Sequence, residues 1–226
     1  MKKNKKKNPI ATLFVAIGNI ALLGAVGWYV RNLIEDIHAE KVSADIAEQI
    51  ISVIEQNKQV ETDEEGSNSS SSQNGKTSEA TINPALYEMP TAEVEGCAYI
   101  GIIEIPSASL SLPVAYDWDY DKLAYTPCRY SGSYHTDDLV ICAHDYGAHF
   151  RAIRSLNIGS TVSFTAVGGE KIRYVVTNVE TVQPTEVEHM INNSANSDSN
   201  NEWDLTLFTC NVGGQTRCAV RCEREK

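Results

Sequence analysis

The sequence has little positive charge outside its first few residues. Lys2, Lys3, Lys5, Lys6 and Lys7 fall within residues 1–30, which hold no acidic side chain, and 14 basic side chains then face 30 acidic ones. The whole chain carries −11, so the portion beyond residue 30 carries −16. An acidic body repels phosphate backbones and lacks the basic face from which counterions are released, so nucleic acid is excluded as a partner. Cysteine is also sparse for a stapled secreted scaffold. The six, Cys97, Cys128, Cys142, Cys210, Cys218 and Cys222, show neither dense spacing nor a Cys-x-x-Cys pair, and their disulfide pairing is not legible. A domain of about 150 residues buries roughly 70% of its unfolded surface without staples, so most of them read as small buried hydrophobes. No internal repeat is present, and no resident cofactor is expected. With 42% hydrophobic and 22% charged residues the chain has an ordinary globular balance.

What is present begins with an apolar run. Pro9 to Val30 is 22 residues without a charge, and at about 1.5 Å per residue such a helix covers a hydrocarbon core of roughly 30 Å. Five lysines precede the run, whereas Glu35, Asp36 and Glu40 follow Arg31. The positive-inside rule then puts residues 1–8 in the cytoplasm as a basic tail and everything after the span outside the plasma membrane. Trp28 and Tyr29 suit the outer headgroup level. A cleaved signal peptide is the alternative, with Ala25, Val26 and Gly27 as a small-residue site, but the run exceeds an ordinary signal core of about 7 to 15 residues.

From residue 31 to 60, Leu33, Ile37, Ile46, Ile50 and Ile54 recur among charges in the pattern of an amphipathic helix. We read it as a stalk; packing of its stripe on the domain, or self-association, stays open. Residues 61–83 are rich in Ser, Asn, Gly and Glu and read as a flexible linker. A folded domain is expected over 84–226. Its β-type runs are Ala98 to Ile105, Leu110 to Val114, Leu139 to Ala143, Thr161 to Val167, Lys171 to Val182, Leu205 to Cys210 and Arg217 to Cys222. Helical pattern is confined mainly to Gly147–Leu156. The expected class is all-β, a closed or nearly closed barrel with short helices, because closure removes exposed strand edges. The polar stretch from Glu186 to Asn201 is long enough for a functional loop.

Alternation in the strand ending at Cys210 puts Thr206, Phe208 and Cys210 on one face and Leu205, Leu207 and Thr209 on the other. Gly213 and Gly214 then allow a tight turn, and Arg217 returns on a neighbouring strand, sharing a face with Ala219 and Arg221. A cation beside Cys210 favours the thiolate, the nucleophilic form. His144 follows an apolar strand and can exchange protons near neutral pH, as acyl transfer from sulfur to an amine requires. Spacing alone does not bring it to Cys210.

The segment Thr206-Leu207-Phe208-Thr209-Cys210, with an arginine on the next strand and an upstream strand-ending histidine, resembles a sortase. Gly101-Ile102-Ile103-Glu104-Ile105-Pro106 and Leu112-Pro113-Val114 are similar to early barrel strands of that family. The resemblance implies an eight-stranded β-barrel behind a membrane anchor. It also implies that Cys210 attacks the bond after Thr in a Leu-Pro-x-Thr-Gly-like (LPxTG-like) sorting signal and passes the resulting thioester to an amine. By the same resemblance His144 is general acid and base, Arg217 binds the signal and stabilises the oxyanion, and Thr209 and His149 are candidates for substrate binding. The implied partners are secreted proteins bearing the signal and a peptidoglycan precursor or pilin amine as acceptor. Ala143 stands where Gly is common in the family and Asp138 where Asn often occurs. The end Glu223-Arg224-Glu225-Lys226 shows no second apolar span, so a class B- or D-like member is expected rather than the pilin-polymerising class C.

Other readings compete. The same three groups could serve a hydrolytic cysteine peptidase, and a tethered binding barrel would need none of them reactive. His149 could equally be helix surface, and His135 and His189 fall in expected loops. Trp203 reads as a core aromatic before its strand rather than a groove residue. Cys142, His144, Cys218 and Cys222 do not make a zinc site, because Cys218 faces away from Arg217. Glu186, Glu188 and Asp198 carry a weak calcium signal in the long loop, as acidic loop residues are usually just solvated.

Overall fold

The computed structural model describes residues 9–65, 88–191 and 203–226. The basic tail over 1–8, most of the linker expected over 61–83, and Asp198 lie outside the described residues. Helix α1 spans Pro9–Glu65, so the helical pattern continues past residue 60. Two compact units divide the chain, residues up to His38 and Ala39–Lys226. The first is helix alone. Its large apolar side chains, Phe14, Leu23 and Trp28 among them, are exposed, and the helix is long and apolar enough to cross a membrane.

In the second unit the rest of α1 meets nine strands: β1 (Ala92–Val94), β2 (Cys97–Ile105), β3 (Leu110–Ala115), β4 (Cys128–Ser131), β5 (Leu139–Cys142), β6 (Thr161–Ala166), β7 (Lys171–Val182), β8 (Leu205–Cys210) and β9 (Arg217–Arg224). Their order is β1-β2-β3-β4-β5-β8-β9-β7-β6, and β6 pairs back onto β2. The eight strands from β2 to β9 therefore close a barrel, as the resemblance implied. Strand β1 is a short addition on the first residues of β2, which bonds β6 further along. At Gly101 a side chain would collide with the Thr165 carbonyl of β6, so the closure itself requires glycine there.

Alternation divides the strands between two cores. Leu139, Ile141, Leu205, Leu207, Val220 and Cys222 point into the barrel, where Phe150 and Ile153 join them. The expected helix over Gly147–Leu156 is a 3₁₀ segment, Phe150–Ser155. Three residues per turn stack Phe150 directly on Ile153, so one short segment aims both apolar side chains inward. On the outer wall, Ile46, Ala47, Ile50 and Ile54 of α1 pack on Ala92, Val94, Tyr99, Ile102 and Val167. Asn57 Nδ2 donates to the Val167 carbonyl at 2.9 Å. The stripe left open as a stalk thus covers the barrel over its Ala39–Ile54 part, while Leu33 and Ile37 stay exposed.

All six cysteines are free thiols, four of them buried. Strands β1 and β4 escape a periodicity reading because three or four residues, the latter closed in by Pro127 and Gly132, are too few to show one.

Candidate active site

Strands β5 and β8 run parallel with Leu139 against Leu205 and Cys142 against Phe208. Parallel neighbours end at the same rim, so the residues two positions beyond each pair, His144 and Cys210, come to one level. Two bonds extend the pairing past the strand. Ala143 N donates to the Phe208 carbonyl at 3.2 Å, and Thr209 Oγ1 donates to the Ala143 carbonyl at 2.8 Å. Thr209 is buried and its hydroxyl is engaged in this link.

Strands β8 and β9 form an antiparallel hairpin whose last pair is Cys210 opposite Arg217. The turn is closed by Asn211 N on the Thr216 carbonyl at 2.9 Å and Gly214 N on the Asn211 carbonyl at 2.8 Å. Gly213 and Gly214 have φ of 88° and 72°, a left-handed region that glycine enters without cost. Arg217 Nη1 donates to the Gly214 carbonyl at 2.9 Å and the Thr216 carbonyl at 3.2 Å, which draws the guanidinium over the turn.

Cys210, His144, Arg217 and Thr209 line one cavity of about 290 Å³. Trp118, Tyr120, Tyr130 and Phe208 give it an aromatic side, and Pro184, Val187 and Met190 an aliphatic one. The last two belong to α2 (Val187–Ile191). Burial lowers the His144 pKa below its ordinary 6.5, so the neutral imidazole is favoured. The Tyr120 ring meets it edge-on at 5.8 Å and the Tyr146 ring lies at 5.0 Å. Burial pushes the neighbouring Cys142 thiol up and keeps it protonated. Cys210, by contrast, is only half-buried at the cavity wall.

An ion pair braces the same rim. Arg154, from the 3₁₀ segment, donates to Asp145 Oδ2 at 2.9 Å and to the Cys210 carbonyl at 3.4 Å. It ties the residue after His144 to the backbone that carries the sulfur. Neither Arg154 nor Asp145 stood out in the sequence, where nothing links them to Cys210. The run Tyr116-Asp117-Trp118-Asp119-Tyr120-Asp121, alternating rings and acids between strands, was the available signal for the aromatic wall.

Other expected placements are corrected. His149 is neither helix surface nor groove lining: it is fully buried as the residue before the 3₁₀ segment, its ring 5.5 Å from that of Tyr146. The segment starts three residues later than expected, which turns His149 inward. His189 lies in α2 rather than a loop, with Nε2 3.1 Å from Glu180 Oε2. Trp203, by contrast, is buried as the core aromatic expected, beneath the guanidinium of Arg221 at 4.4 Å. Among the described residues no group of three or more His, Cys, Asp or Glu side chains is arranged to hold a metal ion.

A family model described as the sortase domain matches residues 103–225, more than half of the chain. Among solved structures, sortaseC1 from Streptococcus suis is 24% identical, with 57% of this chain and 73% of that one covered at a TM-score of 0.46. Sortase C from Clostridium perfringens SM101 is 21% identical, with 83% and 95% covered at 0.47. A Clostridium perfringens Sortase D5 transpeptidase is 17% identical, with 63% and 86% covered at 0.49. A comparison with curated proteins finds no match. On the strength of the family match over the barrel and its rim, this chain belongs to the sortase family.

Proposed function

We propose that the chain is a membrane-anchored cysteine transpeptidase acting on secreted proteins that carry an LPxTG-like sorting signal. The observation that carries the reading is the lining of one cavity by His144, Cys210 and Arg217, drawn from three separate segments. Cys210 gives its thiol proton to the neutral His144 as its Sγ attacks the carbonyl carbon of the signal's Thr, and the peptide C–N bond to the next residue breaks as His144 passes that proton to the leaving amine. An acceptor amine, from a peptidoglycan precursor or a pilin, then gives its proton to His144 and displaces the sulfur. The new amide replaces the thioester, and Cys210 is restored. Arg217 supplies the fixed positive charge for the oxyanion of each tetrahedral intermediate. The basic tail over 1–8 stays in the cytoplasm and the barrel works outside, where its substrates are.

The test uses the full chain in detergent with a panel of Leu-Pro-x-Thr-Gly-type peptides and an amine acceptor. Mass spectrometry should find a thioester on Cys210 and an amine-exchanged product, and Cys210→Ala should give neither. Release of free acid despite abundant amine would instead identify a hydrolytic peptidase. A Cys210 that forms no adduct with any peptide would leave a binding barrel.

A further inference from the structure

Arg221 is fully buried and belongs to none of the reacting groups. A guanidinium so placed persists only where its donors are met. Its Nε donates to Glu180 Oε1 at 2.8 Å, its Nη1 to Thr206 Oγ1 at 2.8 Å and the Met190 carbonyl at 3.0 Å, and its Nη2 to the His189 carbonyl at 2.7 Å. The Trp203 ring closes the cage, with the cation 4.4 Å from its centroid.

The elements that meet there differ in what else holds them. Strands β7, β8 and β9 are paired along their lengths. Helix α2 has five residues, too few to be stable on its own. Two of the four bonds fall on its closing carbonyls, groups that a helix end leaves without an internal partner and where a cation is favoured. Glu180 adds a further tie through its other oxygen to His189. The same short helix presents Val187 and Met190 to the cavity of Cys210.

We infer that Arg221 is a positioning residue for substrate: by clamping α2 it fixes the Val187 and Met190 wall against which an apolar side chain of the bound peptide packs. It governs affinity and side-chain selectivity rather than the chemical step. This rests on the transpeptidase reading of the same cavity.

The experiment compares the full chain with Arg221→Lys and Glu180→Gln, measuring peptide turnover and the rate at which iodoacetamide, which needs no α2 wall, alkylates Cys210. Glu180→Gln keeps a side chain of the same shape and preserves the test should Arg221→Lys fail to fold. Each folded variant should raise KM roughly tenfold, with kcat and alkylation within about twofold of wild type, since lost uniform binding appears in KM alone. The preference among peptides differing in their apolar residue should flatten with it. Wild-type turnover with KM unmoved in the variants overturns the role of Arg221, as does a parallel fall in kcat, alkylation and melting temperature. A wild-type chain that turns over no peptide refutes the parent reading instead.

Discussion

Cys210 and Arg217 form the final cross-strand pair of the β8–β9 hairpin, on the outer wall of the barrel. Directly opposed residues of an antiparallel pair hold their Cβ atoms about 4.5 to 5.5 Å apart. The backbone register alone therefore makes the two residues neighbours at one rim of the barrel. Slipping it by one residue would turn the arginine into the apolar interior beside Val220, so hydrophobic burial enforces the pairing.

Arg217 is expected to act through its fork as well as its charge. Arg217→Lys keeps the cation but replaces planar donors with a point charge, and Arg217→Ala removes both. Peptide turnover should fall by about 10²- to 10³-fold in the alanine variant, the range for loss of one oxyanion donor, and by less in the lysine variant. Equal activity in all three chains would remove Arg217 from the mechanism.

The lowered pKa of His144 makes a prediction about stability with a definite sign. Burial disfavours the imidazolium, so near the ordinary pKa of 6.5 the unfolded chain binds the proton more readily than the folded one. The folded state therefore keeps its full stability above pH 6.5 and loses this contribution as pH falls through that value toward the lower folded pKa. In His144→Asn the loss between pH 7 and pH 5 should shrink relative to wild type, as read from melting temperatures across that window. Identical pH profiles would mean that the ring is not burdened by burial.

The pairing of β8 with β9 was legible because it is local: an alternating strand, two glycines and a second alternating strand follow within 20 residues. The meeting of His144 and Cys210 was not. It depends on parallel pairing of β5 with β8, whose partners are joined by a crossover through β6, β7 and α2 and leave no nearby mark. Arg221 was seen to share a face with Arg217, but its burial comes from α2 and Trp203, which approach from a different part of the chain. His149 was misplaced because a pattern of apolar residues at helical spacing also suits a single 3₁₀ segment. The resemblance to a family supplied the barrel's closure, which periodicity had left nearly closed or closed.

The brace between Arg154, Asp145 and the Cys210 carbonyl should support the rate rather than binding. Arg154→Met and Asp145→Asn are each expected to lower kcat by roughly tenfold with KM little changed, and the double variant to fall no further, because residues in one network do not add. Additive losses would show two independent roles and no brace. The carboxylate alone cannot carry the effect, since it reaches Cys210 only through Arg154.

The last test concerns α1, where neighbouring isoleucines have opposite environments. Ile50 is fully buried against the barrel, whereas Ile51 is 40% exposed. A free stalk would treat them alike. A helix packed on the barrel loses about 2–5 kcal/mol when Ile50 becomes alanine, from lost transfer energy and the cavity left behind. For a unit of this size each kcal/mol shifts the melting temperature by about 2–4 °C. Ile50→Ala should thus melt several degrees to well over ten degrees below wild type, and Ile51→Ala only slightly below. Because neither Ile50 nor Ile51 lines the cavity of Cys210, peptide turnover at low temperature should be unchanged in both. Equal melting of the two variants would return this half of α1 to a stalk with no share in the barrel's stability.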